Sequence, residues 1–397
     1  MPAVCSACFG DEGIKTFIEA NAAKKACTFC GARARKPLAA TLEDVVEFMR
    51  ECIAGNYGDP AEWLPYDSAE GGYQGVTFDT YDLVNEELGL DFPNDQDGSL
   101  SQAVQNGLGD SIWCETDPFG LSPGDRLAFS WEEFCRIITH ERRHFFLNVG
   151  RSDGELHSPR KILNLIFSYA EDAGLIRTLP QDTRLFRARR EPRGTTFDTV
   201  RDLGPPPVEA ALQSNRMSPP GVVMTYVADT PKIAIRETAS KPGRYKIAEF
   251  ATERQGLILD LSKLQKVPSL FCEIPDYLEY DPRPRLEFLH RIRHEISRPI
   301  ARDNRIHVEY VPTQVVTEYL RFATTSDGAR LDGIRYRSSR LATGTALVLF
   351  ADQDNMIMPP DERPSLYHLS KDRWIRLVRV FPKRVRSTDL RRWSTRF

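Results

Sequence analysis

The 397-residue chain has no apolar run of 18 residues, the length a membrane-spanning helix needs, and no signal-peptide pattern ahead of its first cysteines. Cysteine is scarce. Eight thiols in 397 residues do not make a disulfide framework, which points to a reducing, cytoplasmic setting. Neither G-x-x-x-x-G-K-[ST] nor G-x-G-x-x-G occurs, which excludes the P-loop and Rossmann fingerprints for a nucleotide. Internal repeats and low-complexity segments are absent as well. A net charge of −3 supplies no global basic field for nucleic acid. The composition is that of an ordinary globular protein, and the length allows two or three domains.

Within that plain background the first 40 residues stand out. Cys5, Cys8, Cys27 and Cys30 form C-x2-C, eighteen residues, C-x2-C. Two such knuckles can close four thiolates around Zn²⁺. Gly10 and Gly31 follow the second cysteine of each pair, as tight turns around a metal require. With all four ligands thiolate, no coordination position is left open, so the expected site is structural. A redox role for either C-x-x-C is weaker, because neither follows a βαβ pattern.

Residues 41–176 read as a helical bundle. Thr41 with Asp44 opens a helix whose Leu42, Val45, Val46, Phe48 and Met49 lie mostly on one stripe. Similar patterning recurs over 80–90, 99–108, 131–147 and 158–176, roughly five helices in all. His140-Glu141-Arg142-Arg143-His144 matches H-E-x-x-H, but no third ligand or glycine-rich extension follows, so a chance match on a charged helix is the better account.

From a linker at 174–182 the pattern turns to mixed α and β. Strands are expected over 183–190, 245–252, 256–264, 331–340, 345–352 and 374–382, and an amphipathic helix over 285–300. Residues 308–324 are expected to begin extended and become helical. Residues 191–207, rich in glycine, proline and charge, read as a long loop. His290 and His294 are spaced i, i+4, which a polar helix face explains. The basic tail (Lys383, Arg384, Arg386, Arg391, Arg392, Arg396) reads as a solvated surface or terminal helix, with a nucleic-acid patch the lesser alternative.

The stretch 215–240 organises the rest. Arg216 precedes the turn Pro219-Pro220-Gly221, an apolar run over 222–227 containing Tyr226 reads as a buried strand, and Asp229 and Thr230 cap a helix that carries Glu237. RMSPPG, a strand with this aromatic, then D-T-x-x-A-I-x-E, resembles the core of the RES domain family, named for its Arg, Glu and Ser. The resemblance covers about residues 185–382. It implies an α+β fold like that of ADP-ribosyltransferases and the breakdown of NAD. By position Arg187 matches the family's first Arg, Arg216 the second, Tyr226 the aromatic, Glu237 the Glu and Ser338 the Ser, with Ser339 a close rival. Trp131, Phe134, His140, Arg143 and Phe146 resemble the HEPN-type helical domain often attached to RES domains. Arg136 lies three residues before His140 and seven before His144, so neither pair fits the R-x4–6-H of HEPN ribonucleases. The expected layout is a zinc-binding segment over 1–40, a HEPN-like domain over 41–176 and a RES domain over 177–397.

The chemistry implied is coherent. Nicotinamide leaves NAD as a neutral ring from a cationic pyridinium, so no acid is needed to expel it. A carboxylate stabilises the oxocarbenium-like ribose, the expected role of Glu237. Arg187 and Arg216 suit the diphosphate, Tyr226 offers a wall for the nicotinamide ring, and the Ser338 hydroxyl can orient Glu237. The expected enzyme is an NAD hydrolase or phosphorylase, a toxin or phage-defence effector restrained by its helical domain. Phosphate, an antitoxin or trigger protein, and a second copy are the partners considered. A mono-ADP-ribosyltransferase and a non-catalytic binding module are the competing functions.

Overall fold

The computed structural model describes residues 1–146, 155–274, 278, 280–298, 305–338, 340–341, 344–357 and 372–394. It has an N-terminal helical domain and a C-terminal α+β domain with a large sheet. Its two compact units are built from 1–125 with 266–284, and from 126–265 with 285–397.

In the first unit, helix α1 (Glu12–Ala20) starts where the Asp11 carboxylate accepts from the amides of Gly13 and Ile14 at 2.8 and 3.0 Å. Helix α2 (Leu42–Ala54) starts on the Thr41 hydroxyl, which accepts from Asp44 N, and α3 (Ser99–Leu108) follows. Their apolar stripes, including Ile14, Ile18, Val45, Met49, Ile53, Leu100 and Val104, meet in one core. Small antiparallel pairings, Ala3–Cys5 with Ala39–Thr41 and Tyr57–Gly58 with Ile112–Glu115, brace it. Phe271, 3% exposed, completes this core from a position far along the sequence. Gly13 is fixed by it. A Cβ there would lie 2.2 Å from the Phe271 carbonyl oxygen, so only glycine admits the strap.

The second unit is organised by a nine-stranded sheet. In chain order its strands are β1 (Ile176–Leu179), β2 (Arg184–Arg190), β3 (Thr225–Ala228), β4 (Gly243–Thr252), β5 (Gly256–Asp260), β6 (Gly333–Arg337), β7 (Thr345–Leu349), β8 (Met356–Ile357) and β9 (Ile375–Val385). Spatially the order is β8-β9-β4-β2-β3-β7-β6-β5-β1, antiparallel except for β5 with β6 and β8 with β9. On one face, helices α4 (Pro123–Arg136) and α5 (Pro159–Asp172) share a core with Leu259, Ile334 and Val348 of the sheet. Two further helices, α7 (Arg283–Ser297) and α8 (Val311–Phe322), join that core through Phe288, Ile292, Val316 and Leu320. A separate cluster holds α6 (Pro231–Thr238) and α9 (Ser387–Ser394) against Ala188, Tyr245 and Ile247.

Several expectations change. Two of the five helices expected in the N-terminal bundle, α4 and α5, belong to the sheet's unit, because Trp131, Phe134, Ile162 and Ile166 bury against sheet and α7 residues. The strand expected over 222–227 is ordered as a ladder only from Thr225, since Gly221 sits at φ 84° in a turn and Val222 N donates to Pro219 O. The 308–324 stretch is helical from its start. Ile306–Glu309 is already a helical turn and Pro312 lies in the first turn of α8, where its missing N–H costs nothing. Thr230 alone caps α6, with Ile233 N donating to its hydroxyl at 3.3 Å. The 191–207 loop contains a short helix, Val200–Leu203, and is pinned where buried Glu191 accepts from Arg244 at 2.6 Å and from Phe197 N at 3.2 Å. His290 bonds the Gln265 carbonyl at 2.7 Å.

The charge is divided unevenly between the two units. The first unit carries 9 Lys and Arg against 26 Asp and Glu, a net −17, while the second carries 44 against 30, a net +14. Residues 51–125 contain no Lys, Arg or His at all. The whole-chain value of −3 hides a strongly basic unit. No helix among the described residues is long and apolar enough to cross a membrane.

Truncating Phe271 to alanine should destabilise the first unit by about 3–5 kcal/mol, and Gly13→Val should do so by expelling the strap. Calorimetric melting of the full chain checks both. A melting profile unchanged by either substitution would contradict the packing described.

Candidate functional site

The sheet is nearly parted at its middle. β2 pairs with β4 over seven residues and β3 with β7 over four, but β2 and β3 share one pair, Phe186 opposite Ala228. Half-buried Arg187 bridges this seam, donating from Nη1 to the Tyr226 carbonyl at 2.8 Å. Burial, then the like charge of Arg189, pushes its pKa down to about 10, which leaves the guanidinium charged at neutral pH. No carboxylate pairs with it among the described residues.

Arg216 is presented by a two-sided clamp. Asn215 and Ser218 close a tight turn around it. Buried Thr313 and Gln314 of α8 hold that turn's backbone, Thr313 Oγ1 donating to Arg216 O at 2.6 Å and Gln314 Nε2 to Asn215 O at 2.7 Å. The guanidinium donates to the Ile296 carbonyl at 2.5 Å, and it too has no carboxylate partner among the described residues. Both arginines are therefore positioned by neutral carbonyls with their charge unspent. Structural arginines elsewhere differ in this respect. Arg254 and Arg335, for example, each engage two acids.

Tyr226 on β3 packs on the α4–α5 core and its hydroxyl bonds Ser218 Oγ at 3.0 Å. Burial pushes its pKa up to about 12, against the Ser218 hydrogen bond and the nearby arginines. In the sheet register Ala228, Ala346 and Tyr336 form one row and Tyr226, Val348 and Ile334 the next, so the two tyrosines share a face. Tyr336 is shifted upward too, by burial first and then by the charges of Glu237 and Tyr226, with Arg216 opposing. Glu237, Tyr226 and Arg216 thus lie near enough to Tyr336 for their charges to act on it.

Glu237 lies on the last turn of α6, half-buried. The buried Ser338 hydroxyl, just past the end of β6, donates to its Oε1 and accepts from Arg340 N at 3.1 Å. Ser338 caps no helix. Its own amide donates to Gly344 O at 2.8 Å, fixing the backbone that aims the hydroxyl. Glu237 Oε2 has no partner among the described residues. Ser339 lies outside them. The structure thus brings Arg187, Arg216, Tyr226, Glu237 and Ser338 to one region of the second unit. Sequence reading missed Tyr336, although it stands two residues before Ser338 on an alternating strand and so shares its face.

Behind the site, on the opposite side of the sheet, Arg335 donates to Asp229 and to Asp260, both at 3.3 Å, and its Nε is buried without a partner. Thr345 Oγ1 donates to Asp229 as well. Burial raises the Asp229 pKa, and Arg335 opposes that shift. These contacts tie the β3–α6 turn, which leads to Glu237, to the strand that leads to Ser338.

The second candidate centre is the cysteine cluster. Cys5 Sγ lies 3.7 Å from Cys8 and 3.5 Å from Cys30, Cys8 lies 3.7 Å from Cys27, and all four sulfurs fall within 4.8 Å of one another. A tetrahedron with metal–sulfur bonds of about 2.3 Å has sulfur–sulfur edges of about 3.8 Å, so the arrangement is compatible with a zinc knuckle. Gly31 has φ 71°, as expected of the second knuckle's turn, and Gly10 N is held by the Asp91 carbonyl at 2.7 Å. Burial pushes Cys5 up to about 11. At Cys27 burial is outweighed by the amides of Cys30, Cys5 and Phe29, which hold it at about 7. The H-E-x-x-H segment has no such geometry. Its helix ends at Glu141, which pairs with Arg136 at 2.6 Å, and Arg142 is extended, so His140 and His144 do not share a helix face.

The seam, with two unspent arginines, two tyrosines and a serine-held carboxylate, lies in the α+β unit. Family profiles agree. The RES domain matches residues 184–367, and HEPN/RES N-terminal domain 1 matches residues 20–152. The chain is a member of the RES family with a HEPN-like N-terminal domain. RES domains act on NAD within a toxin-like enzyme family. Neither the curated proteins nor the solved structures contain a match.

Arg335→Ala should cost about 3–5 kcal/mol by leaving two carboxylates without their shared cation, whereas Arg335→Lys should recover part of it. Chemical denaturation measures both. Equal stability of all three proteins would remove the lock.

Proposed function

We propose that the second unit cleaves the bond between nicotinamide and ribose in NAD, passing ADP-ribose to water or inorganic phosphate. The observation that carries this is Glu237, held through one oxygen by Ser338 with the other open, at a seam where Arg187 and Arg216 keep their charge unspent. Glu237 stabilises the oxocarbenium-like ribose and contacts its 2-hydroxyl. Ser338 fixes the carboxylate's orientation by donating to it. Arg187 and Arg216 take the diphosphate, each with donors beyond the one committed to a carbonyl. Tyr226, with Tyr336 on the same face, walls the nicotinamide, and Ser339 is assigned to the binding of substrate on sequence grounds. A net +14 on this unit draws the anionic dinucleotide toward it.

In this account the protein is a cytoplasmic toxin or phage-defence effector, and its first unit restrains it until a trigger or antitoxin binds or leaves. The four cysteines hold one structural Zn²⁺, which organises α1 and hence the seat of the 266–284 strap. Loss of the metal loosens the first unit. Because that unit includes a segment from within the RES profile, cutting the chain at residue 176 would damage both units, and substitution is the cleaner probe.

Purified protein incubated with NAD should release nicotinamide at a restrained basal rate, with Glu237→Gln slower by about 10²–10³. Product analysis with and without phosphate names the acceptor, and labelled ADP-ribose on a macromolecule would reassign the enzyme as a transferase. Release at the parental rate in Glu237→Gln would refute the assignment. For the metal, total zinc should be about one per chain, and Cys8→Ser should lower both zinc content and melting temperature. A Cys8→Ser protein with full zinc would dismiss the knuckle. Unaltered turnover in a zinc-free Cys8→Ser protein would dismiss the restraint.

A further inference from the structure

The C-terminal cations are organised into a surface of their own. The end of β9 and helix α9 enclose a concavity of about 750 Å³, lined by Lys383 and Arg384 from the strand and by Arg386, Arg391 and Arg392 around the helix. Its acid is Asp389, and that carboxylate is engaged in starting α9, accepting from Arg386 N at 2.8 Å. Lys383, Arg384 and Arg386 are exposed and have no ion-pair partner among the described residues. The platform is firm. Leu390 and Trp393 on the other side of α9 pack into the cluster that contains Ile233 and Ile235, and Arg236 lies 5.5 Å from the Trp393 ring.

We propose that this cleft binds the phosphate backbone of nucleic acid, without regard to sequence. Lys383, Arg384 and Arg386, exposed in a row from the strand to the start of the helix, match successive phosphates along a strand better than one compact anion, which would be enclosed by buried donors. Among the described residues no aromatic side chain lines the cleft, so nothing there stacks on a base, and exposed cations spread along it meet phosphates that every sequence shares. The net +14 of this unit adds an attraction felt near its surface, within about a Debye length. The cleft is independent of the Glu237 site, and its occupancy does not depend on the reaction proposed there.

Fluorescence anisotropy of the full chain with a labelled mixed-sequence duplex of about 20 base pairs tests this. With three phosphates neutralised, affinity should fall about 40-fold between about 50 and 200 mM salt. An unrelated duplex of the same length should bind equally. Arg384→Glu with Arg386→Glu should weaken binding at least ~10-fold and lower the salt slope by about 2, with melting temperature and nicotinamide release unchanged. If that pair lowers the melting temperature, Lys383→Gln replaces it, with a smaller loss expected. Absence of binding at low salt, or parental affinity in the altered proteins, would overturn the proposal. So would saturation of the cleft by tripolyphosphate without any duplex binding.

Discussion

One ladder pair joins the two halves of the nine-stranded sheet, and the rest of the second unit follows from that. A sheet so nearly parted needs other ties, and it has them on either side of the seam. Arg187 reaches across to a carbonyl of β3, and Arg335 with Asp229, Asp260 and Thr345 braces the strands behind. The seam gains a place where side chains of different strands converge without a ladder between them. Positions along intact strands face their own neighbours. Positions at a parting can face a ligand.

The ties also explain why groups far apart in sequence act together. Glu237 is set by the turn after β3, Ser338 by the end of β6, and Arg335 with Asp229 links those two elements from the far side. The Arg216 turn is held by the Thr313 and Gln314 side chains of α8, so a helix of the core also fixes an arginine. The two units are interleaved in a comparable way. The first takes Phe271 into its core, and the chain then returns to α7, which supplies the Ile296 carbonyl that anchors Arg216. The knuckle's domain and the sheet's domain are thus separate cores on a chain that passes between them three times.

Much of this was legible beforehand where local chemistry is strong. The paired C-x2-C spacing foretold four sulfurs in reach of one another, and the Thr41 and Thr230 caps fixed helix starts. The D-T-x-x-A-I-x-E pattern placed Glu237 on its helix, where Ser338 bonds it. Long-range partnerships were not legible. Nothing in Val267–Ile274 as a string says that Phe271 completes another core, and α4 and α5 carry the same amphipathic stripe whichever unit they join. Asp229 looked like a cap because Asp before Thr-Pro so often is one, but its carboxylate had a stronger partner in Arg335. The summed charge misled for a simpler reason: opposite values on two units cancel.

The central claim is that the seam holds NAD, diphosphate toward the two arginines and ribose toward Glu237. A crystal structure of the Glu237→Gln protein with NAD tests it most directly. The account predicts the diphosphate within hydrogen-bond reach of Arg187 and Arg216, and the ribose bearing nicotinamide beside Gln at position 237, below the tyrosine pair. A dinucleotide bound elsewhere, or a seam closed to it at saturating concentration, would contradict the account.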